Sequence, residues 1–307
     1  MSQSTKKLHA SKAVVIRDYY FLLGYRQLQP FLSADASEPH NYSGCLTTQS
    51  LSREEDDVVI ENVLIQKKAG EFASVNGWVA WSGFDQKAYP ISFFEWSQLR
   101  DGHIQPKPET LVIGGVATVL HALRLLEAAP GTIDFPESLR MYLGRDIRAT
   151  TLGEIRGQFT MDDPRPLFVK PRDVHKAFNG HVLSAFRDLI PTAQQPDDLT
   201  VWASEVIEFV SEWRYFVRRH EVIGVGHYQG DPFIHPDVSI VRAAVARYRD
   251  EASSAYGIDF GVANDGRTLL VEVNDAYSLG HIGLRPVPYT NMLEDRWVEL
   301  MRKRHLA

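Results

Sequence analysis

Three side chains near the end of the chain have the types and spacing of a divalent-cation site. Glu272 and Asn274 are two positions apart, so in an extended strand both project from one face. Asp259 lies on the preceding apolar segment, which can pair with that strand. Two carboxylates and an amide oxygen suit Mg²⁺ that is also bound by nucleotide phosphates. Carboxylates flanked by Val, Ile and Phe are costly to bury unpaired, which favours a cation over the alternative, acids that cap a hairpin.

A second polar group lies upstream of this set. Glu205 and Glu212 could accept hydrogen bonds from an adenine amino group and from ribose hydroxyls, and Val206 and Ile207 extend the nucleotide-contacting segment beside Glu205. Arg214 follows Glu212 by two positions and therefore shares its strand face, where a guanidinium can meet a phosphoryl group in transfer. The alternative is an ordinary alternating strand face on which Arg214 pairs with Glu212.

Two lysines further upstream are candidates for binding phosphate. Lys170 ends the apolar run Phe168-Val169, where its stem can pack along a strand while its ammonium reaches an anion. Lys176 lies in the following loop with Gly180, which lets backbone amides approach phosphate oxygens closely. The alternatives are a solvated strand-end lysine and an exposed loop charge. Together the three groups predict a nucleotide site in the C-terminal half.

The elements that must position these groups indicate an α+β domain. Hydrophobic patterning predicts strands at 166–170, 201–209, 215–218, 222–228, 256–262 and 268–273, and helices at 236–255 and 291–306. Asn264-Asp265-Gly266 favours a positive-φ turn, which makes the last two strands a hairpin. A tight turn at His220-Glu221 joins another pair. Antiparallel strands with interspersed helices are therefore expected here.

The N-terminal half has the pattern of an open α/β layer. Strands are predicted at 13–17, 58–66, 74–81 and 111–113, with a polar loop at 33–56. The strand at 111–113 runs through Gly114-Gly115 into a helix at 116–128, which is half of a βαβ unit. The predicted domains are 1–145, an N-terminal α/β substrate-side domain, and 146–307, the nucleotide-binding catalytic domain.

Composition narrows the class of protein. The net charge of −6 and the pI near 6.0 give no reason to expect nucleic-acid or membrane partners, and no segment approaches the length of a membrane span. A single cysteine, Cys45, excludes an internal disulfide and suits the cytoplasm. The eleven histidines show no zinc-ligand spacing.

In their order and spacing, these motifs resemble the ATP-grasp superfamily over roughly residues 145–307. The segments KPRDVHKAFNG, SEWRYFV and EVNDAYSLG resemble a clade named for one arginine and two lysines, whose members are thought to be amide-bond-forming ligases. LVIGGV and ESLRMYLGR are also similar, which extends the resemblance to about residue 111. The resemblance implies a pre-ATP-grasp-like α/β domain followed by an α+β ATP-grasp domain with antiparallel sheets.

The resemblance also implies a role for each candidate residue. Phosphate binding falls to Lys170 and Lys176, the adenine-side hinge to Glu205 with Val206 and Ile207, the ribose contact to Glu212, the γ-phosphate or intermediate contact to Arg214, and Mg²⁺ to Asp259, Glu272 and Asn274. Arg214 and Lys176 would be the catalytic pair. A further basic residue before the Lys170 strand is common in the superfamily, and here only Arg145 or Arg148 could serve.

The implied activity is an ATP- and Mg²⁺-dependent carboxylate–amine ligase that forms an acyl phosphate and releases ADP and phosphate. Two alternatives stay open: a kinase-like phosphotransferase acting on a small molecule or peptide, and a non-catalytic ATP-binding module. The expected partners are a small-molecule or peptide carboxylate and an amine, chosen by residues 1–145 and 276–288, where His281 is either a substrate contact or a turn residue. A homodimer is possible, and no residue is identified as the base.

Overall fold

The computed structural model describes residues 58–160, 164–174 and 177–304. The predictions for 13–17, 33–56, Cys45 and Lys176 lie outside these residues. The strands are β1 Asn62–Lys68, β2 Glu71–Phe72, β3 Ile91–Glu95, β4 Thr110–Ile113, β5 Ile147–Thr151, β6 Leu167–Pro171, β7 His181–Leu183, β8 Thr200–Ser204, β9 Phe209–Arg218, β10 Glu221–Gly230, β11 Ala255–Ala263 and β12 Thr268–Asp275. The helices are α1 Val75–Gln86, α2 Trp96–Arg100, α3 Val116–Leu125, α4 Leu152–Gln158, α5 Val238–Tyr248 and α6 Pro286–Lys303, with 3₁₀ helices at Glu137–Tyr142, Phe186–Thr192 and Ala276–Ser278.

The N-terminal layer is a small sheet built around β1. Strands β3 and β4 pair with β1 in parallel, and β2 adds antiparallel to its end. This confirms the predicted α/β layer. Strand β3, which follows α1, pairs with one edge of β1, and β4 pairs with the opposite edge. The strand order therefore reverses at β1. Such reversals leave a crevice at the carboxyl ends of the strands.

The prediction of a strand at 74–81 was wrong, because this segment begins α1. The Ser74 hydroxyl accepts from the Gly77 amide at 3.3 Å and caps the helix. Buried Gly77, Ala80 and Phe84 then recur at spacings of three and four, which is the period of a helix. Val and Trp favour strands in isolation, but the cap and the burial pattern decide the outcome here.

The C-terminal half contains two antiparallel sheets, as predicted. The smaller sheet has the order β5-β8-β6-β7 and the larger has the order β10-β9-β11-β12. The predicted single strand at 201–209 is interrupted, because residues 205–208 connect β8 of the smaller sheet to β9 of the larger. The predicted helix at 236–255 ends early, at Tyr248, and the chain then turns into β11.

Helix α6 closes the structure by packing against α1. An ideal β-carbon on Gly83 would lie 2.5 Å from the Pro286 carbonyl oxygen, so this close approach requires glycine. Buried Trp297 and Met301 belong to the same hydrophobic core as the N-terminal sheet. The end of the chain therefore helps to form the core of the N-terminal layer, and the domain boundary near 145 stays a prediction. No helix in the described part is long and apolar enough to cross a membrane.

The turn between β9 and β10 provides a stability test. Arg219 and His220 have φ values of 49° and 67°, a left-handed conformation that costs a non-glycine residue about 1–2 kcal/mol. Nδ1 of His220 is also buried with no hydrogen-bond partner in the described residues. We expect His220→Gly to raise the free energy of unfolding by about 1 kcal/mol, or a few degrees in Tm. Glu221→Gly, at the start of β10, should instead destabilise the protein; equal effects in thermal melts would contradict the interpretation.

Candidate active site

The register of the larger sheet brings the predicted polar residues to one point. Asp259 on β11 lies directly opposite Arg214 on β9 and opposite Glu272 on β12. Asn274 lies opposite Gly257, two positions from Asp259 and on the same face. The sheet therefore gathers Arg214, Asp259, Glu272 and Asn274 on one surface.

Arg214 and Asp259 form a buried bidentate ion pair. The guanidinium donates from Nε to Oδ1 at 2.8 Å and from Nη2 to Oδ2 at 2.6 Å. The two side chains are only 7% and 6% exposed. Burial raises the pKa of the Asp259 carboxyl, and the Arg214 charge opposes that rise. The carboxylate therefore depends on this arginine to remain ionised.

Lys170 reaches the same cluster from the smaller sheet. It lies near the end of β6, and its ammonium donates to Oε2 of Glu272 at 2.7 Å and to Oδ1 of Asp134 at 2.9 Å. Burial opposes the charge, but the two carboxylates outweigh it and raise the pKa of Lys170. For Glu272, burial would raise the pKa, but the Lys170 ammonium, together with Asn274 and Arg214, outweighs burial and holds the pKa below its usual range. The cluster thus connects the two sheets through charged groups.

Asn274 joins the two carboxylates. Its Nδ2 donates to Oδ2 of Asp259 at 3.1 Å and to Oε1 of Glu272 at 3.0 Å. One oxygen of Asp259 and one oxygen of Glu272 therefore converge on the Asn274 amide nitrogen, as two carboxylates would converge on a cation. Within the described residues, no three His, Cys, Asp or Glu side chains are grouped to hold a metal ion. The candidate set has only two carboxylates and an amide, but these are the oxygen donors that Mg²⁺ accepts alongside phosphates, so the residues fit it.

Glu212 lies on the same strand face as Arg214 and is partly buried. Burial and the charges of Asp259 and Glu272 raise the pKa of its carboxyl to about 7, against the lowering effect of Arg145. The Arg145 guanidinium donates from Nη1 to the Leu270 carbonyl at 2.8 Å and from Nη2 to the Val271 carbonyl at 2.9 Å. Burial lowers the pKa of Arg145 to about 10. This arginine therefore holds β12 while it faces Glu212.

Glu212 should make stability depend on pH. A carboxyl whose pKa is higher in the folded protein stabilises the fold fully below its unfolded pKa, here about 4.5, and loses that contribution as the pH rises through about 7. Glu212→Gln should therefore flatten this decline and stabilise the ligand-free protein at pH 8 by up to about 3 kcal/mol. Urea unfolding at several pH values measures both the decline of stability with pH and the stability gained at pH 8. Glu221→Gln, on the exposed start of β10, is the control. An unchanged pH slope in Glu212→Gln would refute this assignment.

The other predicted site residues lie around this centre. Glu205 is exposed between the two sheets, and its Oε2 accepts from the Asp146 amide at 3.1 Å. Val206, 40% exposed, and the partly buried Ile207 follow in the same connection. Arg148 is exposed on β5, opposite Ala203 of β8. Of the two arginines considered, only Arg145 faces the cluster.

The sequence reasoning missed two residues that contact the cluster. Asp134 pairs with Lys170, but it lies in an irregular segment with no motif to mark it. The Tyr228 ring centroid lies 5.4 Å from Cζ of Arg214. The β10 register shifts between His227 and Gln229, which re-aims the intervening residue, and no sequence pattern signals that bulge.

Comparisons with known proteins agree with this architecture. A family model of the ATP-grasp domain matches residues 142–292; it describes family 2 of the clade named for one arginine and two lysines. No curated protein sequence gave a match. The crystal structure of an ADP complex of N5-carboxyaminoimidazole ribonucleotide synthetase aligns with a TM-score of 0.52 at 11% identity, over 78% of this chain and 78% of that chain.

Two further solved structures align less closely. D-alanine–D-alanine ligase from Bacillus anthracis, complexed with ATP, has a TM-score of 0.48 at 17% identity, over 79% of this chain and 98% of that one. D-cycloserine synthetase has a TM-score of 0.47 at 11% identity, over 79% and 99%. The family match gives one conclusion: residues 142–292 form an ATP-grasp domain of the clade named for one arginine and two lysines.

Proposed function

We propose that the protein is an ATP- and Mg²⁺-dependent carboxylate–amine ligase that acts through an acyl phosphate. The observation that carries this proposal is the continuous charged network from Lys170 through Glu272, Asn274 and Asp259 to Arg214. The network joins a buried guanidinium, a partly buried ammonium and two carboxylates in one cluster. That combination suits a phosphoryl group bound together with a divalent cation.

The charge balance explains why nucleotide and metal would bind together. In the ligand-free protein, Lys170 and Arg214 are neutralised by Asp134, Glu272 and Asp259. A nucleotide alone would meet these carboxylates and be repelled. A metal–nucleotide complex brings a cation for the carboxylates and anionic oxygens for Lys170 and Arg214, so each buried charge exchanges one partner for another. Nucleotide binding should therefore require the metal.

The reaction has two steps. A carboxylate oxygen of the substrate forms a bond to the γ-phosphorus of ATP, the bond to the β–γ bridging oxygen breaks, and ADP leaves. The amine nitrogen then bonds to the carbonyl carbon of the acyl phosphate, and phosphate leaves with the electrons of the broken C–O bond. The amine proton passes to solvent or to phosphate. When bound, Mg²⁺, held by Asp259, Glu272 and Asn274, would neutralise phosphate charge.

The side chains of this chain would act by positioning and by charge. Lys170 and Arg214 would bind the oxygens of the transferring group, because each is held in place by a carboxylate, partly buried Glu272 for Lys170 and buried Asp259 for Arg214. Lys176 is proposed as a second phosphate contact. Glu205, Val206 and Ile207 would contact adenine, and Glu212 would contact ribose. No side chain acts as a covalent nucleophile.

Two measurements test the proposal without knowledge of the natural amine. First, MgATP at about 100 times its dissociation constant should stabilise the protein by about 2.7 kcal/mol, a shift of a few degrees in Tm, whereas ATP with EDTA should not. Second, hydroxylamine can replace the amine, so MgATP and a panel of amino acids and small peptides should give a hydroxamate and ADP.

The products of the assay and the thermal shift distinguish the ligase from its alternatives. Hydroxamate formed together with ADP supports the ligase. A stable phosphorylated product that hydroxylamine does not capture would indicate a phosphotransferase, and release of AMP would refute the acyl-phosphate step. A MgATP shift without turnover on any carboxylate would favour a non-catalytic ATP-binding module. No shift with any nucleotide would refute the site assignment.

Two further features of the proposal concern the location and the oligomeric state of the protein. A cytoplasmic location is proposed because one cysteine in 307 residues suits a reducing compartment. A homodimer formed through the N-terminal layer is also proposed, and light scattering would test it.

A further inference from the structure

The crevice of the N-terminal layer lies beside the active-site arginine. It opens where the strand order reverses at β1, and it holds about 10 Å³, room for about one water molecule. Asn76 and Gly77 from the first turn of α1, Gly114 from the end of β4, and Ser278 provide its polar edge. This edge belongs to the half of the chain expected to select the substrate.

Gly280 leaves a notch between the two halves of the chain. An ideal β-carbon on this glycine would lie 3.7 Å from Nη1 of Arg214 and 3.8 Å from Nδ2 of Asn76. The other near neighbour is Cδ1 of Ile282 at 3.5 Å, so the position that a side chain on Gly280 would occupy is bordered by one apolar carbon and two nitrogen donors. One donor comes from the ATP-grasp domain and the other from the N-terminal layer.

The orientation of both donors is determined by their other contacts. Oδ1 of Asn76 accepts from the His281 amide at 3.1 Å, which assigns the other end of the amide, Nδ2, to the notch. Nε and Nη2 of Arg214 bind Asp259, whereas Nη1 has no hydrogen bond to any residue that the structure describes. Arg214 as a whole is 6% exposed, but Nη1 is not among the side-chain atoms that are buried without a partner, so this unused donor stays open to solvent. Because the ion pair with Asp259 fixes the guanidinium, the accessible Nη1 is oriented to donate to a ligand.

We propose that Asn76 is a substrate-binding residue, whose Nδ2 binds the acid group of the carboxylate substrate together with Nη1 of Arg214 in the notch left by Gly280. The choice of a carboxylate rests on the proposed function. It also fits the chemistry of the two donors, because each nitrogen can donate a hydrogen bond to one oxygen of a carboxylate. Because Asp259 already neutralises much of the Arg214 charge, the notch suits a monoanion better than a phosphate dianion.

Two substitutions change the notch while they preserve the fold. Asn76→Asp keeps an oxygen that can accept from the His281 amide, but it replaces the donor with a negative charge; near the start of α1 this charge favours the helix. Gly280→Ala places a methyl group in the notch at ordinary contact distances, the nearest being 3.5 Å from Ile282 Cδ1. Gly157→Ala is the matched control, because its β-carbon would meet nothing within 4 Å.

The binding test uses propionate as the probe, followed by saturation-transfer NMR, with phosphate and propylammonium as comparison probes. Wild type and Gly157→Ala should bind propionate equally. Asn76→Asp and Gly280→Ala should each weaken it about tenfold or more, the loss expected for one hydrogen bond to a charged group. Unchanged propionate binding in both variants would overturn the proposal. So would tighter binding of phosphate than propionate, or no binding of propionate by wild type.

The thermal shift with MgATP is measured on the same four proteins. It should be equal in all of them, because neither substitution touches the predicted metal ligands. If wild type shows no MgATP shift, the proposed function fails while the propionate result still reports on the notch. If the MgATP shift is normal and both notch variants bind propionate as tightly as wild type does, the proposed function stands and this inference fails. In the hydroxamate assay, both variants should raise KM for the carboxylate about tenfold and leave KM for ATP unchanged.

Discussion

Replacing Arg214 with methionine is expected to lower the free energy of unfolding by about 3–5 kcal/mol. Asp259 is 4% exposed and would lose both hydrogen bonds of its bidentate partner. Methionine fills similar volume, so the loss reflects the unpaired carboxylate rather than a cavity. Urea unfolding at pH 7 measures the effect. It should shrink at low pH, because burial raises the pKa of the Asp259 carboxyl and favours its neutral form.

A double-mutant cycle separates this effect from simple damage to the core. Asp259→Asn in the Arg214→Met background should recover much of the loss, because the buried charge is gone. Arg267→Met is the matched control: Arg267 pairs with Asp265, but the two side chains are 53% and 47% exposed, so its loss should cost no more than about 1 kcal/mol. Equal destabilisation by Arg214→Met and Arg267→Met would show that the buried pair does not stabilise the fold.

Replacing Glu272 with glutamine is expected to lower kcat/KM in the hydroxamate assay by about 10²–10³ and to remove the Mg²⁺-dependent part of the MgATP thermal shift. Glutamine keeps the size of the side chain but lacks the negative charge that the proposed cation site needs. It also removes one of the two anionic partners of Lys170. Titration of Mg²⁺ at fixed ATP measures the change.

Asp134→Asn is the informative comparison for this prediction. Asp134 is the other carboxylate bound to Lys170. It does not belong to the proposed metal ligands, which are Asn274 and the two carboxylates that Asn274 contacts, Asp259 and Glu272. If Glu272 acts as a metal ligand, Asp134→Asn should keep the Mg²⁺ dependence. A similar loss in both variants would mean that Glu272 acts only by holding Lys170.

Much of the local structure could be predicted from residue pattern. Alternation and the Asn264-Asp265-Gly266 turn predicted the β11–β12 hairpin, and Gly266 has the positive φ of 85° that such a turn needs. The segment 74–81 was mispredicted because strand propensity is weaker than a serine cap and a buried helical face. The break at 205–208 was missed because a strand and a connection between two sheets can have the same apolar composition.

The sequence by itself determined which side chains can share a face, since neighbours two apart on a strand must point the same way. That rule paired Glu212 with Arg214 and Glu272 with Asn274. Only the tertiary structure decided which of these pairs meet. The register of β9, β11 and β12 sets Asp259 between Arg214 and Glu272, and the packing of two sheets brings Lys170 to Glu272. Strand register and sheet packing depend on contacts between residues far apart in the chain, and no local pattern encodes them.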